Sequence, residues 1–133
     1  MQYIIMIAVV IGLAAADFVT GIIKGYVTNT LSSTKMRKGG MNKLAEITIM
    51  ATVCGLEIGI KMLGRYYGEN VAEYAEILGM VTAIGTFGYI VIMELLSMLE
   101  NYVEINPDAT WAKKIIKKLK ANNELEADKE SKK

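Results

Sequence analysis

Histidine is absent from this chain, cysteine occurs once, and no lysine or arginine precedes Lys24. The missing histidine removes the usual general base and commonest metal ligand of neutral-pH chemistry. An ordinary hydrolase or a zinc centre is therefore not expected, and no catalytic residue, metal site or cofactor is assigned. Cys54 has no partner for an intrachain disulfide, says nothing about redox compartment, and reads as a small apolar filler. Ala14-Ala15-Ala16 imitates a signal-peptide cleavage site, but the basic n-region is lacking and the apolar run continues through Asp17 to Ile23. A retained first span is the expectation.

Charge is scarce over three further stretches of the chain, residues 3–23, 44–63 and 77–99. About 20 mostly apolar residues cross a bilayer as a helix, and a helix satisfies its own backbone where hydrocarbon offers no partner. A hydrophobic content of 53% puts the chain on the membrane side of the usual divide. We expect an all-α membrane protein with a three-span transmembrane domain over residues 1–105. Residues 106–133 form a cytoplasmic basic amphipathic helix followed by a short disordered tail.

The basic residues that do occur fix an orientation. The connection over residues 24–43 carries Lys24, Lys35, Arg37, Lys38 and Lys43 without an acid, whereas residues 64–76 carry Arg65 against Glu69, Glu73 and Glu76. By the positive-inside rule the first connection and the Lys-rich tail lie in the cytoplasm. Three spans then place the N-terminus outside and the C-terminus inside.

Several side chains sit at depths where lipid tolerates them poorly. Asp17, Thr20, Gly21 and Lys24 share one face of the first span. An unpaired carboxylate in hydrocarbon costs about 2.5–3.5 kcal/mol or more, so Asp17 must face protein, water or a cation. Its two readings are a polar helix interface or lesion wall, and local neutralisation by Lys24 or a neighbouring span. In the second span Glu46, Met50, Val53, Glu57 and Lys61 form one stripe, opposite Thr48, Thr52, Gly55 and Gly59. Gly55 and Gly59 make a GxxxG pair suited to close helix packing. Glu57 and Lys61 read either as an intrahelical ion pair or as part of a stripe that several copies gather around water. The third span offers Gly79, Ala83, Gly85 and Gly88 as small packing surfaces and Glu94 as its one acid.

After Asn106-Pro107-Asp108, a helix-start signal, residues 110–121 divide cleanly. Trp111, Ala112, Ile115, Ile116 and Leu119 lie on one side; Lys113, Lys114, Lys117, Lys118 and Lys120 lie on the other. This describes a helix on an anionic inner leaflet, or alternatively one docked on a soluble partner. Nucleic acid is a poor candidate because arginine and aromatic contacts are nearly absent. Residues 122–133 mix both charges with few apolar groups and are expected to be disordered.

An ordered set of short motifs runs through the chain: Asp17-x-x-Thr20-Gly21-x-x-Lys24, Leu31-Ser32-Ser33, Arg37-Lys38-Gly39-Gly40 with Lys43, and Ser97-x-Leu99-Glu100-Asn101 ahead of Pro107. With this set the chain resembles the phage lysis and clostridial toxin-secretion holins over nearly its whole length. It departs from their pattern at Tyr102-Val103-Glu104, where a more apolar, glycine-containing run is usual. The resemblance implies a non-enzymatic protein of the bacterial cytoplasmic membrane. Such a protein forms homo-oligomers and opens timed lesions through which an endolysin or a toxin passes. Two other classes compete: a small ion- or proton-coupled transporter or channel subunit in which Asp17, Glu57 and Glu94 bind the ion, and a regulatory subunit whose charges pair with a larger partner. Three spans are few for a transporter, and no inverted repeat is visible.

Overall fold

The computed structural model describes the backbone of residues 2–67 and 69–130 and the side chains of residues 2–67 and 71–121. Within these the chain forms four helices, α1 (Gln2–Val27), α2 (Ser33–Tyr67), α3 (Glu69–Ile105) and α4 (Thr110–Glu130). The first three run up, down and up. Each of the three contains a stretch long and apolar enough to cross a membrane.

The helices outrun the apolar stretches that nucleate them. At 1.5 Å per residue, α2 with 35 residues and α3 with 37 are about 52 and 55 Å long, against roughly 30 Å of hydrocarbon. Nothing stops them earlier, because the single proline is Pro107. Lys35, Arg37, Lys38 and Lys43 therefore lie on the first turns of α2 rather than in a loop. The second connection shrinks to the neighbourhood of Gly68, which lies outside the described residues.

The turn between α1 and α2 is closed at both ends. Asn29 takes a left-handed conformation with φ 53°; Thr30 N donates to Gly25 O at 2.9 Å and Asn29 N to Tyr26 O at 3.3 Å. This paired arrangement satisfies the carbonyls that a helix C-terminus leaves free. Leu31 packs over Gly25 so closely that a Cβ there would lie 2.9 Å from Leu31 Cδ1. Ser32 then caps α2, its Oγ accepting from Lys35 N at 3.2 Å.

Val10, Met50, Cys54 and Ile90 form the apolar core, with Tyr3, Met6, Ile7, Ile47 and Phe87 packed against it. Large apolar side chains such as Ile4, Ile11, Val19, Leu56 and Ile84 remain exposed. That exterior would be a liability in water and suits lipid. Because lipid tails are as apolar as leucine, helix association must come from close packing and polar contacts. Glycine supplies the first on the α2–α3 interface: a Cβ at Gly64 would lie 2.9 Å from Ala72 Cα, and one at Gly79 2.8 Å from Glu57 Cγ. Gly55 and Gly59 meet nothing within 4 Å and face away from the bundle.

After the turn at Pro107, α4 folds back along the last turns of α3. Ala109 and Ala112 are buried there, and Tyr102 and Trp111 bring their ring centroids to 5.7 Å. The α4 backbone stays helical to Glu130, beyond the expected end at Ala121. Glu, Ala, Leu and Lys dominate residues 124–130 and are strong helix formers even without an apolar face. Residues 131–133 of the expected disordered tail lie outside the described residues.

Gly79 and Gly55 give a paired test of this packing. Gly79→Ala is expected to cost about 1–3 kcal/mol by forcing α2 and α3 apart. Gly55→Ala should cost nothing or stabilise slightly through helix propensity. Denaturant titration of the purified chain in detergent micelles checks both.

Candidate functional site: a buried charge cluster between three helices

The face of α1 that carries Asp17, Thr20, Gly21 and Lys24 turns onto α3 along its whole length. Asn101 Nδ2 donates to Asp17 Oδ1 at 3.0 Å and to Thr20 Oγ1 at 3.2 Å. Thr20 in turn donates to the Asp17 carbonyl at 2.9 Å. Gly21 lies beside this contact, and a Cβ there would meet Asn101 Nδ2 at an ordinary 3.7 Å. One turn further on, Lys24 pairs with Glu104 at 3.3 Å. Lys24 therefore does not neutralise Asp17, because α3 draws both side chains to separate partners.

Lys43 takes that role. Its ammonium enters between the helices and reaches Asp17 Oδ2 at 2.9 Å, Glu94 Oε2 at 2.7 Å and Glu46 Oε2 at 3.6 Å. The Asp17 and Glu94 side chains are 8% and 1% exposed, so both ion pairs lie in low dielectric, where Coulomb attraction is strong and desolvation is costly. Three carboxylates thus share one ammonium. Glu94 Oε1 and Glu46 Oε2 are buried without a hydrogen-bond partner among the described residues. The cluster holds the three helices together and is also under-compensated.

Glu57 and Lys61 lie at the other end of the bundle and do not pair with each other. α3 closes over Glu57 at Gly79, leaving Glu57 6% exposed, and Tyr3 Oη donates to Glu57 Oε1 at 3.0 Å. Lys61 stays at the rim and binds Glu76 of α3. Sharing a helix face is not sufficient for a pair when a neighbouring helix covers one member and not the other.

The two faces of α2 therefore divide differently from a packing side and a polar side. Within the chain the stripe carrying Met50 and Glu57 is the packed one, while the Gly55 and Gly59 face is open. Ala83 is buried inside the bundle and Gly79 packs beneath Glu57. On α4, Ala112 is buried against α3, while Trp111 at 54% and Ile115 at 41% remain exposed. Lys114, Lys117 and Lys118 are exposed as well. Lys113 Nζ binds the Pro107 carbonyl at 2.6 Å, and Lys120 binds Glu100 at 2.7 Å.

Lys43, Asn101 and Tyr3 were not legible as site residues. Lys43 reads as one of five basic residues in a connection, and only its position one turn before Glu46 hints at a buried role. Asn101 lies seven residues after Glu94, two turns along the same face of α3. Tyr3 carries no comparable signal. Among the described residues no group of three or more His, Cys, Asp or Glu is placed to hold a metal ion.

Three membrane-competent helices locked by an internal charge cluster define a multi-pass membrane protein. A family model described as the bacteriophage holin family matches residues 2–122. The chain belongs to this family, and its function is of the holin type. Searches of curated proteins and of solved structures return no match.

Removing Lys43 should strand two buried carboxylates. Lys43→Met is expected to destabilise the chain by about 3–5 kcal/mol, and most of that loss should return when Asp17→Asn and Glu94→Gln are added. Lys24→Met, which breaks a partly exposed pair, should cost less than about 1 kcal/mol. Thermal unfolding in micelles followed by circular dichroism ranks the three.

Proposed function

We propose that this holin accumulates in the cytoplasmic membrane with its N-terminus outside and its basic segments inside. It self-associates there and opens timed lesions that release an endolysin or a toxin. The observation that carries this reading is the distribution of polarity within one subunit. Asp17, Lys43, Glu57 and Glu94 are turned inward, while the exterior is apolar and shows an open glycine face. Such a subunit can collect in lipid without harm. The open face with Gly55 and Gly59 allows a second copy to approach closely where no hydrophobic drive exists.

The buried cluster supplies the reason to rearrange. Desolvation costs several kcal/mol per ion even in a good pair, and here two carboxyl oxygens find no hydrogen-bond partner among the described residues. Water entering between assembled copies would hydrate these groups and favour an opened arrangement over the closed bundle. On α4 the exposed Trp111 and Ile115, with Lys113, Lys114, Lys117, Lys118 and Lys120 alongside, suit adsorption to an anionic inner leaflet. A transporter is the weaker reading, because the Lys43 ammonium already occupies the place between Asp17 and Glu94 that a carried cation would need. No step here calls for enzymatic chemistry.

Induction in a bacterium that also makes a cytoplasmic muralytic enzyme tests the proposal. Growth should continue until an abrupt loss of membrane potential, with the enzyme escaping at the same moment. A Gly55→Leu/Gly59→Leu variant should reach the same level in the membrane yet lyse late or not at all. Full expression with neither depolarisation nor release would remove the lesion reading.

A further inference from the structure

The basic end of the bundle contains a cleft whose Lys35, Ser32 and Met36 have no part in the lesion reading. Between α1, the α1–α2 turn, the first turns of α2 and the last turns of α3 it encloses about 560 Å³. This is within the ~300–1,000 Å³ usual for ligand sites. Gly21, Gly25 and Gly39 line it without side chains that would fill it, and its floor is Asp17, Lys43 and Asn101.

The walls are part apolar and part charged. Along α1 the lining passes from Phe18 and Ile22 to Lys24, with Glu104 of α3 also on the wall; on α2 Met36 and Lys35 line it side by side, next to Ser32, with Leu31 at the rim and 47% exposed. From Asp17 to Lys24 the cleft follows α1 for about 10 Å, enough to run from the apolar span into the headgroup layer. An occupant must therefore be apolar at one end and carry charge at the other.

The sign of that charge follows from the groups with bonding capacity left. The Lys35 ammonium forms no ion pair among the described residues, and Lys24 is held only by Glu104, whose side chain is 56% exposed. Ser32 Oγ accepts from Lys35 N and keeps its own proton to donate. With Lys24 answered by Glu104, the Lys35 ammonium is the charge left over on this lining, and with the Ser32 hydroxyl beside it in sequence it favours an anion. A small free anion would leave the apolar wall bare.

The geometry points to a binding site for an anionic phospholipid of the inner leaflet. Its phosphate is held by Lys35 with Lys24 and Ser32, and the start of its acyl chains lies along Phe18, Ile22 and Met36. α4 lines none of this cleft, so the site is separate from the basic surface of that helix. It rests on the proposed orientation, with the basic end inside, and belongs to the closed bundle, since Asp17 and Lys43 floor it; lipid binding by the purified chain and lesion formation in cells are read separately and can fail separately.

The full-length chain in detergent micelles, titrated with phosphatidylglycerol or with phosphatidylcholine, tests the site. The readouts are the thermal midpoint and the lipid retained in native mass spectra. Phosphatidylglycerol should raise the midpoint and remain bound one per chain; phosphatidylcholine should do neither. Lys35→Gln, at an exposed position that leaves the fold intact, should weaken the effect about fivefold, the ratio corresponding to ~1 kcal/mol per basic group at an anionic surface. A Lys114→Gln/Lys118→Gln variant of α4 should leave it unchanged. Equal action of phosphatidylcholine would overturn the assignment. So would loss of the effect only in the α4 variant, or equal stabilisation by glycerol phosphate or inorganic phosphate, which would make the cleft a free-anion site.

Discussion

One ammonium group ties the three spans together. Lys43 of α2 reaches Asp17 of α1 and Glu94 of α3 while keeping Glu46 of its own helix near. In lipid the apolar side chains gain little by meeting each other rather than acyl chains, so the helices depend on contacts that lipid cannot imitate. A charge pair at low dielectric is such a contact, and it is strict about register. A shift of one residue along a helix moves a side chain by 1.5 Å and turns it by about 100°, which would carry Glu94 or Asp17 out of reach. Register so fixed brings Asn101 beside Asp17 and Gly79 beneath Glu57.

The same contact limits how stable the closed bundle can be. One ammonium serves three carboxyl groups, and Glu94 Oε1 and Glu46 Oε2 find no hydrogen-bond partner among the described residues. Breaking a buried ion pair by removing a partner is costly, but hydrating both partners together is not. The closed arrangement is thus well held against lipid and poorly held against water. In the lesion reading proposed above, that asymmetry has a use: the chain stays closed in lipid until water reaches the cluster.

Polarity and small residues are arranged accordingly. Gly64 and Gly79 bring α2 and α3 together within the chain, whereas Gly55 and Gly59 leave an unfilled face outside the bundle. The basic end is built more firmly than a loop would be. A closed C-terminal turn at Asn29 and a cap at Ser32 join α1 to α2 without slack, which keeps the lysine-bearing cleft open beside them. α4 spends Ala112 on α3 and keeps Trp111 and Ile115 for the surroundings, so its apolar face is shared between the bundle and whatever lies outside.

By itself the sequence determined the number of helices, the apolar spans, the amphipathic character of α4 and the acids that lipid would not accept unpaired. All of these follow from local periodicity and transfer cost, which depend on nothing beyond a residue and its helical neighbours. Only the tertiary structure decided the partners: Lys43 rather than Lys24 for Asp17, Tyr3 rather than Lys61 for Glu57, and Gly79 rather than Gly55 for close approach. Pairing across helices depends on which faces meet and at what height. That is settled by contacts between residues 22 to 84 positions apart, over which a helical wheel has no reach.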